Sequence, residues 1–330
     1  MQVLLTQITS KMTSVLKAKG YADDDIPFII DMYLGGELRG HISHGLTSFP
    51  GFIRDENTVT EKPQVGKATD AFFMLDARGN NGTLLGKRAA DEAIARAKKQ
   101  AVGFSMIQHM DSWLRPGAIA QYIAEQGFLA IVVNSGGGAA VAPPGGFQPV
   151  TGTNPIAYAI PTDDGVLVVD MATSKRAWGQ VRLANKYGTD LPPDTFYDDQ
   201  GDVTLDPKKA YSVMSFGGYK GFSLAMLFEI MCGSLLGMDM MVDSTSGNAF
   251  GQKMPERGAF ILVIDPEQTI GLDAFKKANA EYIRKIQVTR SQQGRQVRIP
   301  GVQAGAQAAA KLKEGTIDIP DKLWQEIEGL

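Results

Sequence analysis

The chain has 330 residues and a net charge of −3, with 44% hydrophobic and 21% charged residues. This composition is typical of an ordinary soluble globular protein with two domains or one large elaborated domain. The small net charge gives no electrostatic reason to expect a nucleic-acid or membrane partner. With 3 histidines and 1 cysteine, neither a metal centre nor an internal disulfide is expected, and a cytoplasmic location fits.

Membrane insertion and export are also not expected from the sequence. The N-terminus lacks the basic start and the continuous apolar core of a signal peptide. No window reaches the ~18–20 apolar residues that a membrane span requires.

The first third of the chain has mostly helical apolar spacing. Residues 3–19 predict one helix, and a second helix follows the acidic cluster 23–25 and ends near Glu37. The polar stretch 58–69, which contains Pro63, predicts a loop. A strand is expected at 71–76, followed by a helix over 84–100 that Thr83 caps.

The middle of the chain predicts buried strands, because short Val- and Ile-rich runs alternate with Gly, Pro and Asp. These strands are expected at 103–109, 128–134, 156–160, 166–171 and 259–265. Helical patterns are found at 117–126, 221–237, 272–285, 302–313 and 321–329. The helix over 221–237 is almost wholly apolar, which places it in a core or in a subunit interface. The fold class is therefore α/β, or α+β, with helices at both chain ends.

Two of the three histidines, His41 and His44, lie in the glycine-punctuated segment Arg39–Pro50. Gly40 is well placed to end the preceding helix, because glycine alone takes a left-handed conformation without a steric penalty. A histidine directly after a helix end is available to exchange protons near neutral pH. An ordinary surface or capping role is the alternative.

The glycine-rich run at 136–146 does not predict a Rossmann dinucleotide-binding loop. Such a loop requires a helix that begins within the glycines, and Pro143 and Pro144 prevent a helix there. We therefore expect a nucleotide, if one binds, to be held in another way.

Polar residues at strand ends and turns are the remaining candidates for a site. Lys220 lies between glycines at the start of the apolar helix, where its charge opposes the helix dipole and indicates a nearby anion. A solvent-facing lysine is the alternative. Asp170 is a candidate ribose-hydroxyl acceptor or a residue that only ends a strand. Arg115 suits bidentate binding of a carboxylate, or is a structural arginine in a loop.

The ordered set SHG (43–45), NS (134–135), GTNP (152–155), DMATS (170–174) and GYKG (218–221) resembles the malate/L-lactate dehydrogenase type 2 family. The IPG turn (299–301) and the ending DKLWQEI (321–327) match as well, so the resemblance covers essentially the whole chain. The run WLRPG (113–117) is most similar to the 2,3-diketo-L-gulonate reductase branch.

The resemblance implies a homodimer with a non-Rossmann nucleotide-binding domain built on a mixed, largely antiparallel sheet. It implies a helical domain of residues 1–70 with 290–330, and a cofactor-binding and dimerisation domain of residues 71–289. The proton-transferring histidine falls on His44. The contacts to NAD or NADP fall on Ser135, Val168, Val169, Asp170, Met171, Ala172, Tyr219, Lys220, Gly301, Val302 and Gln303.

Three positions depart from the family pattern. Ser48 replaces a substrate-binding arginine, Ser112 replaces a histidine, and Val302 replaces an acidic or polar residue. Arg115 is then expected to hold the substrate carboxylate, with Ser48 and Ser112 nearby. Asn154 and Ser43 are candidate hydrogen-bond donors to the reacting oxygen.

The predicted activity is hydride transfer between a nicotinamide and a small 2-keto or 2-hydroxy acid, with His44 as imidazolium donating the proton. Two alternatives remain open at this point. One is a reductase of cyclic imine carboxylates, and the other is a catalytically silent member that binds nucleotide and acts by dimer assembly.

Overall fold

The computed structural model describes residues 1–55, 61–243 and 256–330. The helices are α1 (Leu5–Ala18), α2 (Ile26–Ile30), α3 (Gly36–Leu38), α4 (Phe49–Asp55), α5 (Gly82–Gln100), α6 (Pro116–Glu125), α7 (Gly179–Tyr187), α8 (Tyr219–Cys232), α9 (Leu272–Gln287), α10 (Val302–Glu314) and α11 (Asp321–Glu328). A π-helical segment, Asp31–Gly35, joins α2 to α3. Short 3-10 helices are formed by Ile42–His44, Leu46–Ser48, Ser234–Leu236, Met241–Asp243 and Pro266–Gln268.

The strands belong to one large sheet, one small sheet and one terminal pair. They are β1 (Gln2–Leu4), β2 (Gln64–Ala68), β3 (Phe72–Asp76), β4 (Val102–Met110), β5 (Leu129–Asn134), β6 (Val141–Ala142), β7 (Ile156–Thr162), β8 (Gly165–Met171), β9 (Phe196–Tyr197), β10 (Val203–Thr204), β11 (Ser212–Met214), β12 (Arg257–Ile264) and β13 (Thr316–Asp318).

The large sheet has seven strands in the order β2-β3-β4-β12-β5-β7-β8. Only β3 and β4 pair in parallel, and the other neighbours are antiparallel. This confirms the predicted mixed, largely antiparallel sheet. No helix begins between residues 135 and 155, so the rejection of a Rossmann loop at 136–146 is confirmed as well.

Side-chain alternation along β5 shows how the large sheet is covered on both faces. Ala130 and Val132 point into the main core together with residues of α5 and α6. Val133 points to the opposite face, where Phe228 and Cys232 of α8 cover it. Because side chains alternate across a strand, the continuous apolar pattern of β5 reflects burial on both sides.

The two chain ends meet in the helical part of the molecule. Strand β1 pairs antiparallel with β13, with Val3 opposite Ile317. Apolar side chains of α1, α2, α4 and α11 join the same core as one face of the large sheet. The predicted division into a helical and an α/β domain remains a proposal.

Most predicted helices and strands are confirmed within two or three residues at their ends. The predicted loop at 58–69 is wrong over 64–68, where β2 forms an exposed edge strand, and its first three residues lie outside the described residues. A strand exposed along its whole length lacks the apolar alternation that would reveal it. Helix α5 is capped by Asn81, whose side chain accepts from the amide of Thr83, so the predicted cap at Thr83 is also wrong.

Helix α8 is not a core helix of the single chain. Leu224, Met226, Leu227 and Ile230 are each 37–49% exposed. By length and composition alone the described segment Tyr219–Leu236 is apolar enough to cross a membrane, contrary to our expectation from the sequence, and 39% of it is buried in the protein. One such helix is weak evidence for a membrane span, because core helices of soluble proteins meet the same criteria.

Candidate active site

The His44 turn packs directly against the helix that precedes it. Gly40 has a φ of 84° after the end of α3, which confirms its predicted role as a helix stop. A Cβ atom at Gly36 would lie 2.6 Å from the carbonyl oxygen of His44, so a side chain there would displace the turn. The buried carboxylate of Glu37 accepts a 3.3 Å hydrogen bond from the amide of Leu46. These contacts fix the position of the histidine.

The imidazole of His44 is half-buried, and its Nδ1 lies 2.8 Å from the hydroxyl oxygen of Ser43. Burial, and after it the positive charges of Arg182, His41, Arg257 and Arg115 in that order, together lower the pKa of His44 to about 4. The histidine is therefore neutral at pH 7 in the unliganded protein. At this pKa little of the predicted imidazolium donor is present at pH 7.

Arg115 lies just before α6, in a tight turn where Leu114 takes a φ of 69°. Only 3% of the residue is exposed. Its Nε donates to the carbonyl of Met32 and its Nη2 to the carbonyl of Asp31, each at 3.3 Å. The π-helical segment begins at these residues, and such segments are frequent at functional sites. Nη1 is buried and has no hydrogen-bond partner.

Asp170, at the end of β8, interacts electrostatically with this arginine and with His41. One carboxylate oxygen accepts a 3.0 Å hydrogen bond from the amide of Gly117, in the first turn of α6. Burial raises the pKa of Asp170, and the charges of Arg115 and His41 partly oppose that effect. Burial lowers the pKa of His41, and the charge of Asp170 partly opposes this lowering. The structure thus brings the histidine turn, Arg115 and Asp170 together.

Three polar residues predicted for the substrate side have internal partners. The hydroxyl of Ser48 donates to the carbonyl of Ser43 at 3.3 Å, and that of Ser112 accepts from the amide of Leu114 at 3.2 Å. Asn154 is fully buried, and its amide nitrogen donates to Thr151, Ala225 and Glu229 at 2.7–3.0 Å. Its oxygen accepts from the amide of Gly136 at 2.8 Å. The side-chain amide of Asn154 is thus paired inside the protein rather than directed at a substrate.

The residues predicted for the cofactor fall into separate groups. Strand β8 is at the sheet edge, with Val168 and Val169 buried, Ala172 half-buried and Met171 exposed. The Gly301 turn packs on this strand, because a Cβ atom at Gly301 would lie 2.3 Å from the carbonyl oxygen of Val168. Val302 is half-buried and Gln303 is exposed at the start of α10. Strand β8 and the Gly301 turn together form a cradle. Both segments are ones that the resemblance assigned to the cofactor.

The remaining predicted cofactor residues lie at the start of α8 and next to the start of β12. Tyr219 and Lys220 are exposed in the first turn of α8. That turn follows Phe216, whose amide donates to the carbonyl of Thr173 just beyond β8. The hydroxyl of Ser135 is buried and accepts a 3.0 Å hydrogen bond from the amide of Gly258, so it positions β12.

Sequence reasoning missed Arg182 on α7 and Arg257 at the start of β12. Both act electrostatically on His44. The charged segment of α7 gave no clear helical pattern, and Arg257 precedes the apolar run that identified β12. A search for basic residues beside predicted strand ends would have found Arg257 but not its proximity to His44.

Comparison with known proteins identifies the family. A family model described as malate/L-lactate dehydrogenase matches residues 3–328. The chain belongs to this family. It is similar over 325 residues, at 28% identity, to the malate/(S)-sulfolactate dehydrogenase of Methanothermus fervidus, covering 97% of this chain and 94% of that protein. It is 27% identical to the 2,3-diketo-L-gulonate reductase of Klebsiella pneumoniae, with full coverage of both chains.

A solved structure gives the same result for the fold. The Δ1-piperideine-2-carboxylate reductase of Pseudomonas syringae superposes with a TM-score of 0.83 at 25% identity, covering 100% of this chain and 99% of that one. Members of the malate/L-lactate dehydrogenase family thus share the non-Rossmann fold seen here. The named relatives act on hydroxy acids, keto acids or cyclic imines, and the protein is accordingly an oxidoreductase. Membership in this dehydrogenase family also implies a nicotinamide cofactor.

Proposed function

We propose that the protein is an NAD(P)-dependent oxidoreductase of a small 2-keto or 2-hydroxy acid, with His44 exchanging the proton and Arg115 binding the carboxylate. The observation that carries the proposal is the buried Nη1 of Arg115, which lacks an acceptor beside Asp170 and His44. A buried guanidinium N–H without an acceptor is costly in a folded protein, and a carboxylate supplies acceptors in the matching geometry.

The roles of the chain's own groups follow from the geometry. When bound, a nicotinamide cofactor supplies the hydride for reduction or accepts it in oxidation. Ser43 holds Nδ1 of His44, which leaves Nε2 to give a proton to the keto oxygen or to take one from the hydroxyl. The cradle of β8 and the Gly301 turn, with Asp170, Tyr219 and Lys220, would hold the nucleotide.

The protonation state of His44 affects oxidation of a hydroxy acid and reduction of a keto acid differently. Neutral His44 is ready to accept a proton, so oxidation of a hydroxy acid needs no prior change. Reduction needs the imidazolium. A substrate carboxylate beside Arg115 offsets positive charge around the ring and raises the pKa of His44 toward neutrality.

The test follows the nicotinamide absorbance with NADH and NADPH separately and a panel of 2-keto acids. Turnover by the wild-type protein is expected, and His44→Gln is expected to lower kcat by about 10²–10⁴ because it removes the proton donor. Affinity for the cofactor, measured by fluorescence titration, is expected to stay unchanged.

His109→Gln is the matched control, since His109 pairs with Asp76 and does not belong to the charged groups that lower the pKa of His44. It should leave kcat within about threefold of wild type. A loss below about tenfold for His44→Gln would remove that residue from proton transfer.

A cyclic imine carboxylate is the second candidate substrate. A protonated imine carries its own proton, so neutral His44 would be sufficient for its reduction. The surrounding arginines oppose this candidate, because they disfavour a cationic substrate. Turnover of cyclic imines but not of 2-keto acids in the same assay would favour it.

We also propose a homodimer that uses the exposed apolar face of α8, formed by Leu224, Met226, Leu227 and Ile230. A contiguous apolar face of this kind is typical of an interaction surface. Light scattering should give twice the chain mass for the wild type and the chain mass for Leu227→Lys. Leu312→Lys is the control, since Leu312 is also an exposed leucine but belongs to another helix, α10. A wild-type monomer would contradict the proposal.

A cytoplasmic location is proposed as well. Cys232 is the only cysteine, and it is a free, buried thiol. A chain with a single buried thiol suits a reducing compartment.

A further inference from the structure

A cavity of about 570 Å³ lies in the helical part of the molecule. It is lined by α1, by the segment 26–39 that runs from α2 to just beyond α3, by α10 and by Gln121 of α6. His44, Arg115 and Asp170 do not line it, so it differs from the candidate active site. Cavities of this size are typical of small-molecule sites.

Much of the cavity wall is aliphatic. The side chains that line it include Ile26, Ile30, Leu34, Leu38 and Leu312. Leu312 is 60% exposed, so part of this apolar surface is uncovered in the single chain. A ligand with a branched aliphatic group would bury that surface favourably.

Two charged side chains of the cavity approach the same glycine without pairing with each other. A Cβ atom at Gly35 would lie 2.5 Å from Oδ1 of Asp31, and Nη1 of Arg39 donates to the carbonyl of Gly35 at 3.2 Å. Within the part of the chain that the structure describes, neither Asp31 nor Arg39 forms an ion pair. Lys17 and Asp23, which also line the cavity, pair with each other at 2.8 Å. The cavity therefore offers one carboxylate and one guanidinium to a ligand.

Gln121 adds a buried acceptor to this cavity. The residue is 7% exposed, and its Nε2 donates to Glu125 at 2.7 Å. Its Oε1 is buried and has no hydrogen-bond partner. Because an unsatisfied buried acceptor is costly, this oxygen indicates that a ligand with an N–H donor belongs in the cavity.

The cavity shares a wall with the proposed substrate anchor. The π-helical segment lines the cavity at Asp31 and Gly35. The carbonyls of Asp31 and Met32 in the same segment accept the hydrogen bonds of Arg115, each at 3.3 Å. A ligand that binds both Asp31 and Arg39 would therefore fix the segment that holds Arg115.

We propose that the cavity is an effector site for an apolar α-amino acid. The ammonium group binds Asp31 and Gln121, the carboxylate binds Arg39, and the side chain packs on the aliphatic wall. A carboxylic acid without an amine would leave Asp31 and Gln121 unpaired, and an amine without a carboxylate would leave Arg39 unpaired. Holding Arg115 in its binding geometry lowers KM for the substrate. Only this effect on KM rests on the proposed function.

Calorimetry of the full chain with L-leucine tests the site. We expect saturable binding with a Kd below about 1 mM. The analogue 4-methylpentanoate lacks the ammonium group and 3-methylbutylamine lacks the carboxylate. Each should bind about 10- to 100-fold more weakly, the effect of losing a hydrogen bond between charged groups. A wild-type protein that does not bind leucine, or that binds all three compounds equally, would overturn the proposal.

Substitutions on α1 and α3 place the ligand in the cavity. Thr13 lines the cavity from α1, so Thr13→Phe should fill it and abolish leucine binding. Ser14→Phe is the matched control, since Ser14 is the next residue, is exposed and does not line the cavity. Arg39→Gln keeps the cavity open and should remove the preference for leucine over 3-methylbutylamine, which guards against misfolding of Thr13→Phe. Unchanged leucine affinity in either variant would contradict the assignment.

Kinetics separate an effector from a competitor. Saturating leucine should lower KM for a 2-keto acid by about fivefold or more, with kcat within about twofold. An unchanged KM would refute the effector role, and a competitive rise in KM would place leucine in the substrate site. If no 2-keto acid is turned over, the proposed function fails. Leucine binding that Thr13→Phe abolishes would then still support the site.

Discussion

Two buried polar clusters in this protein differ in how completely their groups are paired. In the first, Asn154 bonds to Thr151, Glu229 and two backbone groups, and Glu229 also accepts from the amide of Met241 at 2.7 Å. In the second, Arg115 and Arg257 each keep a buried N–H without an acceptor near His44. A fully paired cluster stabilises the fold, whereas unpaired donors indicate where a ligand is missing.

Substitution in the unpaired cluster should affect catalysis far more than folding. Arg115→Met removes the carboxylate anchor, so KM for a 2-keto acid should rise by about 100-fold or more. The loss of stability should be small, because the substitution also removes a buried charge with an unsatisfied donor. Steady-state kinetics and urea unfolding on the same preparation measure both effects. A large loss of stability with unchanged KM would make Arg115 a structural residue.

Substitution in the paired cluster should show the opposite pattern. Asn154→Ala removes a hydrogen-bond partner from Thr151, from Glu229 and from the amide of Gly136. The free energy of unfolding should fall by about 2–4 kcal/mol. KM of the folded fraction should change little. Ser48→Ala is the control, since it removes a single 3.3 Å hydrogen bond. An Asn154→Ala protein of wild-type stability with reduced kcat would return Asn154 to the substrate site.

The smallest expected effect is on the pH dependence of stability. The pKa of His44 is about 4 in the folded protein, against an ordinary value of 6.5 for histidine. Between these values the unfolded chain binds more protons, so stability is fully present above pH 6.5 and falls as the pH drops toward 4. Because His44 is only half-buried, solvent screening limits its contribution to the free energy of unfolding to about 1–2 kcal/mol.

His44→Gln should remove this contribution. Urea unfolding at pH 7 and pH 5 measures the difference, and the variant should lose less stability than the wild type over that interval. Equal losses for the two proteins would mean that His44 is not held in its neutral form.

Local pattern was sufficient for much of the architecture. Apolar runs of β4, β5, β7, β8 and β12 predicted the strands of the large sheet, because burial on both faces requires continuous apolar sequence. The edge strand β2 and helix α7 were not predicted. Both are largely exposed or charged, so packing rather than local pattern determines their structure.

The candidate site was only partly predictable for a related reason. His44, Arg115 and Asp170 were identified from glycine-flanked or strand-end positions, and the structure brings them together. Arg257 belongs to a strand far along the chain, and only sheet pairing and the adjacent bulge bring it near His44. The role of Asn154 could not be predicted either, because its hydrogen-bond partners Ala225 and Glu229 belong to α8.

The sequence by itself determined the family and the histidine turn through short motifs, and the buried strands through runs of apolar residues. The mixed sheet followed from the family resemblance. Only the tertiary structure decided which polar groups are paired, which arginines surround His44, and that its imidazole is neutral at pH 7. Pairing and pKa depend on burial and on charges from distant segments, and those are set when the chain packs.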